Sequence, residues 1–332
     1  MDALVWLGPE RLAVQQVARP VPQPEEVVIT VDAAGICGSE VEGYLGRQAN
    51  RTPPLVMGHE FAGRVSAVAD GVDRSWVGRR VTVNPLLSCA DCVLCRAGNR
   101  NVCERRQLIG LHRPGGFGAE VAVPVSALFP IPDGLDARLA ALAEPLANGV
   151  HAVRLGMLRG LPARAIVIGA GTIGLAALQA ARAAGIAQVV VAEPHAGRRV
   201  QAAALGATET AASAEAIAEP AALVIDAVGR PETRARGIAL TRAAGTFIAI
   251  GLHADALPVS FHDLIRREIA VQGSYAYSDE DFATALRWLA EGRAGIGRLE
   301  PVRPLSAGPA AFAELAKGAT DAIKIFISGN AR

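Results

Sequence analysis

Residues 165–185, AIVIGAGTIGLAALQAARAAG, with QVVVAE at 188–193 behind them, decide the fold. AIVI has the length and apolarity of a buried strand, Gly169, Gly171 and Gly174 make a GxGxxG turn, and the residues after it carry apolar helical faces. A strand, glycine turn, helix, strand order requires a parallel βαβ unit with a right-handed crossover. The first helical N–H groups and the helix dipole then favour an anion, and the glycines let a pyrophosphate approach the backbone. Glu193 closes the second strand, 24 residues beyond Gly169, where an acid can accept hydrogen bonds from ribose hydroxyls. The competing reading is that the glycines only permit tight helix packing and Glu193 is a solvated strand end. The complete context favours a dinucleotide.

The alternation continues outward in ALVIDAVG (222–229), GTFIAIG (245–251) and EIAVQGS (268–274), with helical stretches between them, which makes a doubly wound parallel sheet. Residues before 146 read differently. Their strands are short and broken by Pro and Gly, as in ARPVPQPEEVVITVDAAG (18–35) and GGFGAEVAVP (115–124), the pattern of an irregular antiparallel barrel. Two helical stretches after residue 276 lead to a last strand, AIKIFIS (322–328), expected to rejoin that barrel. The predicted division is therefore 1–146 with 277–332 for the barrel domain, and 147–276 for the parallel sheet.

Within the barrel domain, Cys89, Cys92, Cys95 and Cys103 follow C-x2-C-x2-C-x7-C, the spacing of a tetrathiolate metal lobe, here over 86–106. Disulfides would need an oxidising compartment. The chain opens MDALVWLGPE, with neither a basic n-region nor an apolar h-region, so a cytoplasmic location and a structural zinc ion are expected.

Composition narrows the partners. Net charge is +1, and acids are interspersed among basic residues that are nearly all Arg, which argues against nucleic acid. Gly169, Gly171, Gly174 and Arg182 interrupt the best apolar run, so no membrane span is expected.

Candidate chemistry in the barrel lies on separate loops: Cys37 in GICGSE, His59 and Glu60 in GHE, and Glu144 in EPL. Zn²⁺ accepts thiolate, imidazole and carboxylate, and an incomplete shell leaves room for substrate. Each residue also has a plain reading, as a small buried hydrophobe, a core histidine or a helix-start acid. Spacing does not assemble them.

Taken in order, GICGSE, PPLVMGHEFAG, the four-cysteine lobe, EPLANGVHA and VIGAGTIG resemble the zinc-dependent medium-chain dehydrogenase/reductase family, and its sorbitol (polyol) dehydrogenase branch in particular. The resemblance covers essentially the whole chain. It implies a GroES-like catalytic domain and a Rossmann domain. It further implies two zinc ions per chain: a catalytic one at Cys37, His59 and Glu60, with Glu144 binding directly or through water, and a structural one at the four-cysteine lobe. Ser39 matches the hydroxyl that relays the substrate proton. Cofactor contacts are implied at Gly169, Gly171, Thr172, Ile173, Gly174, Glu193, Arg198, Val228, Gly251 and Leu252, with NAD preferred over NADP. The implied reaction is reversible oxidation of a secondary alcohol, in a polyol or vicinal diol, by zinc-assisted deprotonation and hydride transfer to NAD. The implied assembly is a homodimer or homotetramer formed through the edge of the parallel sheet, with GTFIAIG and the following ALPVSF (256–261) as candidates for that edge.

Three departures from the family pattern stand out. Glu42 occupies the place of a common outer-relay histidine, Gly78-Arg79-Arg80-Val81 replaces the usual G-D-R-V turn, and position 38 is Gly. Two other readings remain open: a sugar-phosphate or amino-alcohol (threonine-type) dehydrogenase, for which Arg47, Arg51 and Arg113 would have to form a basic cluster, and a non-enzymatic NAD-sensing, zinc-binding protein. Tyr44, Leu111, His112, Phe117 and Leu252 are the candidate pocket residues.

Overall fold

The structure, a computed structural model, describes residues 1–48, 50–256, 259–295, 299–318, 320 and 322–331. It divides into one unit of Met1–Glu144 with Arg298–Arg332 and a second of Pro145–Gly297.

In the first unit, strand Glu26–Gly35 is the organising element. It is buried along nearly its whole length, in keeping with apolar Val27, Val28, Ile29, Val31, Ala33 and Ala34, and only Asp32 faces solvent. On one side it pairs antiparallel with Glu60–Val68, and on the other with Glu120–Pro124 and then with the C-terminal strand Phe326–Ser328. Register irregularities between Val28 and Ile29 and between Val31 and Ala33 bend it. Arg80–Val83 and Leu128–Pro130 extend this sheet at one end and Arg303–Pro304 at the other, while Asp2–Gly8, Arg11–Gln16 and Leu55–Val56 form a second, three-stranded sheet. One apolar core fills the unit, with Phe117 edge-on to Phe312 at 5.9 Å. This is the GroES-like half of the fold.

The second unit is a six-stranded, all-parallel sheet of Rossmann type. Its order is Glu209–Ala211, Gln188–Ala192, Arg164–Ile168, Ala221–Asp226, Thr241–Ala249, Ala270–Gly273. The chain turns back at Arg164–Ile168, so the point where strand order reverses lies at that strand's carboxyl end, above the glycine turn. GTFIAIG is an interior strand here, because Ala270–Gly273 pairs outside it. The edges are therefore Glu209–Ala211 and Ala270–Gly273, and the candidate edge segment is corrected accordingly. ALPVSF includes Leu257 and Pro258, which lie outside the described residues.

Helix Asp279–Ala290 clusters with the second unit, whereas the sequence reading placed it with the first. Its apolar face, with Phe282, Ala285, Leu286 and Leu289, is buried, and one charged clamp fixes its start. Buried Asp281 accepts hydrogen bonds from Arg154 Nε at 2.8 Å and Ser278 Oγ at 2.8 Å, and its Oδ2 lies 2.7 Å from His151 Nδ1. These contacts tie the helix to Ala143–Gly156. Among the described residues, no helix is long and apolar enough to cross a membrane.

Candidate active site

Cys37 lies just beyond the buried strand Glu26–Gly35 and caps the short helix Gly38–Tyr44. Glu40 in that helix is fully buried and gathers two ligand loops. Its Oε2 accepts Cys37 N at 3.0 Å, while its Oε1 accepts Gly58 N at 2.8 Å and lies 2.8 Å from His59 Nδ1. With Nδ1 engaged, the other ring nitrogen is left for a metal. Ligand atoms of Cys37, His59 and Glu60 all lie within 4.8 Å of one another.

A partner invisible in the motifs completes this group. Lys324, from the C-terminal segment, is buried and donates to Ile36 O at 3.1 Å and Glu60 Oε1 at 2.8 Å. Its Nζ is also 2.6 Å from Glu60 Oε2, but without hydrogen-bond geometry, so this buried oxygen keeps an unused acceptor. Thiolate, imidazole and a carboxylate oxygen short of a donor are a set that fits Zn²⁺.

Burial opposes charge on each of these groups, and the neighbours override it. His59 is raised well above its ordinary value because Glu40 and Cys37 outweigh desolvation. Burial would raise the Glu40 carboxyl, yet His59, Arg51 and the Cys37 N–H hold it below the usual range. Lys324 is raised, since the charges of Glu60, Cys37 and Glu144 exceed its desolvation.

Of the four expected ligands, three come together. Glu144, buried in the first turn of Ala143–Gly156, stands outside the three-residue group but near enough for Lys324 to feel its charge. Ser39 sits half-buried in the first turn of Gly38–Tyr44. Glu42 is half-exposed and pairs with Arg47 at 3.2 Å. The basic cluster does not form. Arg51 is buried, donating to Gln48 Oε1, Gly110 O and Ser39 O, and Arg113 bonds Glu26 at 2.5 Å and Ala122 O at 3.1 Å. Phe117 is core, Tyr44 packs on Phe312, and His112 accepts Leu108 N within its own turn.

In the four-cysteine lobe, Sγ atoms of Cys89 and Cys95 are 3.8 Å apart, those of Cys92 and Cys103 3.9 Å, and those of Cys103 and Cys89 3.4 Å. Tetrahedral Zn–S bonds of about 2.3 Å place sulfurs about 3.8 Å apart, whereas a disulfide needs about 2.05 Å. The sulfurs are spaced for a metal. The Cys89 thiol is pushed up to about 12, chiefly by its hydrogen bond with Asp91, and that of Cys103 down to about 6 by the Cys89 N–H.

In the second unit, helix Thr172–Ala183 begins at Gly171 without a side-chain cap, and a Cβ at Gly171 would project into open space. A Cβ on Gly174 would lie 1.9 Å from Gly169 O, so only glycine allows this close turn. Buried Glu193 spans it: Oε2 accepts Ala170 N at 2.8 Å and Oε1 accepts His195 N at 2.9 Å. Arg199 is committed to the carbonyls of Glu193 and Pro194, while Arg198 is exposed. Val228 and Gly251 follow the neighbouring strands, and Val228 stands against Gly169. Leu252 is exposed. Asp226, not singled out from sequence, fixes this edge by accepting Val228 N, Gly229 N and Thr233 Oγ1. An uncapped helix start beside an open glycine turn fits a dinucleotide pyrophosphate.

Two family models match the chain: an alcohol dehydrogenase GroES-like domain at residues 23–133 and a zinc-binding dehydrogenase at 172–291. The L-galactonate-5-dehydrogenase of Escherichia coli K12 is 34% identical over 304 residues, 88% of either chain. A solved alcohol dehydrogenase from Escherichia coli CFT073, complexed with NADH, is 26% identical with a TM-score of 0.91 over 99% of both chains. A zinc-binding dehydrogenase from Sinorhizobium meliloti 1021, bound to NADP, is 32% identical with a TM-score of 0.90 over 98% of both. Fold, site and matches define a class: zinc-binding oxidoreductases that act on CH–OH groups with a nicotinamide cofactor, NAD(H) or NADP(H). The chain belongs to the zinc-dependent medium-chain dehydrogenase/reductase family, in its sorbitol dehydrogenase-like branch.

Proposed function

We propose that this enzyme oxidises a secondary alcohol with a hydroxyl on the neighbouring carbon, in a polyol or vicinal diol, to the ketone with NAD, and runs in reverse. The observation that carries this reading is the ligand set. Cys37, His59 and Glu60 lie together, and a second carboxylate, Glu144, is buried close enough to act on Lys324. Zinc held there supplies Lewis acidity that lowers the pKa of a substrate hydroxyl. Carboxylates in place of a second thiolate make a harder site, able to accept a hydrogen bond from a neighbouring hydroxyl. Glu40 fixes the His59 ring, Ser39 Oγ receives the substrate proton, and Glu42, oriented by Arg47, is the next group outward. Glu144 acts directly or through water. The four-cysteine lobe holds the second zinc.

For the cofactor, the glycine turn and the start of Thr172–Ala183 would bind the pyrophosphate, and Glu193 the ribose hydroxyls. A buried carboxylate at that strand end disfavours a 2′-phosphate, and Arg199 is already committed to backbone carbonyls. Exposed Arg198 would stack on the adenine. The first unit acts as catalytic domain and the second as cofactor domain. We place a homo-oligomeric contact at the edge strand Ala270–Gly273 and the enzyme in the cytoplasm.

A matched series of monols and vicinal diols of equal carbon number, with NAD and NADP, tests the reading by kcat/KM. Secondary diols are expected to exceed monols by about tenfold or more, the size of one net hydrogen bond. Primary monols turned over best would overturn the substrate class, and a ratio favouring NADP the cofactor assignment.

A further inference from the structure

Lys317 and Lys324 are the only lysines among 33 basic residues, and Lys324 is buried with a side chain 1% exposed. An unpaired ammonium in such a place is costly, so its partners define its role. Those partners are Ile36 O, one residue before Cys37, and both oxygens of Glu60. Glu60 thus faces two claims on its charge, from an ammonium already in contact and from a cation bound beside Cys37 and His59.

We propose that Lys324 is a positioning residue that withholds Glu60 from full engagement with the catalytic metal, keeping a metal position available to substrate. The inference rests on the reading that Cys37, His59 and Glu60 hold zinc. Its sign follows from charge alone. Cys37 thiolate, Glu60 and Glu144 together carry one negative charge more than Zn²⁺ neutralises, and Lys324 supplies the balance, while the Glu40 carboxylate faces His59 and Arg51. Among the described residues Lys324 is the cation paired with Glu60, so without it the buried carboxylate would turn to the metal. It would bind that metal more closely, and the repulsion between Nζ and the metal would vanish as well. Removal of Lys324 should therefore tighten zinc retention while lowering turnover, opposite to the loss of affinity expected when an ordinary supporting contact is deleted.

The test uses the zinc-loaded, full-length protein with K324M, K324Q, E60Q and the K324M/E60Q pair. K324Q can still donate to Ile36 O and Glu60 but carries no charge, so it serves if K324M fails to fold. Release of zinc to a chromophoric chelator separates the lobe metal from the catalytic one, and the visible bands of the cobalt-substituted enzyme report coordination number. We expect catalytic zinc to leave K324M or K324Q about tenfold more slowly than wild type, with weaker cobalt bands as a further ligand closes on the metal. In the E60Q background, K324M should change neither readout. Release at the wild-type rate or faster from a variant that melts normally, or an effect that persists without Glu60, overturns the proposal. A wild type that binds zinc only in the four-cysteine lobe overturns the underlying site assignment instead.

Discussion

The four-cysteine lobe draws its sulfurs from fifteen consecutive residues, whereas the group around Cys37 needs His59 and Glu60 from a second segment and Lys324 from almost the end of the chain. The lobe closes on itself: bound to a metal, its four sulfurs would fill a tetrahedral shell and leave no vacancy. The second group is held by others. Glu40 clamps Cys37 to the His59 loop, and Lys324 competes for Glu60. A locally closed site contributes folding energy, while a site assembled over long range keeps a position open for chemistry and depends on its supports.

The sharpest way to break this contrast is to remove one cysteine from each. Cys92→Ser should cost most of the lobe's metal-linked folding energy, about 10 kcal/mol or more by analogy with small zinc domains, and appear as insolubility or early melting. Cys37→Ser should leave melting within a few degrees, yet lower kcat/KM about a thousandfold, the equivalent of several kcal/mol of Lewis-acid stabilisation. Similar melting temperatures and similar activities for the two variants would erase the distinction.

The second unit offers a different comparison, because its clamp uses a carboxylate instead of a metal. Burial would raise the pKa of Asp281, but hydrogen bonds from His151, Arg154 and Ser278 hold it well below the carboxylate range. A carboxylate depressed in the folded state contributes stability fully present above its unfolded pKa of about 3.9 and lost as pH falls below that toward the folded value. Asp281→Asn should cost about 2–3 kcal/mol at pH 7, less than for a fully buried pair because Arg154 is half-exposed. The deficit should shrink below pH 4. Melts of the zinc-loaded wild type and variant side by side across pH 3–7, so that any pH-dependent loss of metal is common to both, decide it, and a deficit independent of pH would assign Asp281 to helix capping alone.

Glu40→Gln sharpens the contrast between the metal groups themselves. The amide would turn an NH₂ toward backbone N–H groups that now donate to a carboxylate, loosening the Cys37 and His59 loops. Catalytic zinc should bind about tenfold more weakly, within the range for outer-shell partners, with lobe zinc unchanged. Chelator competition reads both sites. Equal loss at both would mean that the two are coupled through the fold.

The same difference in locality governs what could be read from sequence. The cysteine spacing and the GxGxxG turn were legible because each is a short-range pattern, and the parallel strands followed from apolar runs of strand length. Glu40 could have been flagged as an acid one turn into the helix that Cys37 caps. Lys324 could not, since nothing local marks a lysine in AIKIFIS as the partner of a residue 264 positions earlier. Arg51 and Arg113 stand in the sequence only as candidates for a basic cluster, because their carbonyl and carboxylate partners are remote in sequence. Strand order likewise reassigned the sheet edge, because periodicity shows that a strand exists but not which neighbour covers it.

The smallest effect tests whether the lobe is as local as its sequence suggests. Ala90, between Cys89 and Cys92, has φ +62°, and Gly98, three residues past Cys95, has φ +85°. Left-handed backbone costs alanine about 1 kcal/mol or slightly more, while glycine at the same place loses about 0.5–1 kcal/mol through its freer unfolded chain. Ala90→Gly should therefore be close to neutral or stabilising by up to about 0.5 kcal/mol. Gly98→Ala should destabilise by a similar amount, a cost from backbone alone because a Cβ there meets no atom within 4 Å. In a unit of this size 1 kcal/mol corresponds to about 2–4 °C, so the melting shifts are small and opposite in sign. Lobe zinc release should follow them, slower in the first variant and faster in the second, while release from the Cys37 group stays constant. If both substitutions move both metals together, the lobe's stability is set by its attachment to the barrel and not by its own fifteen residues.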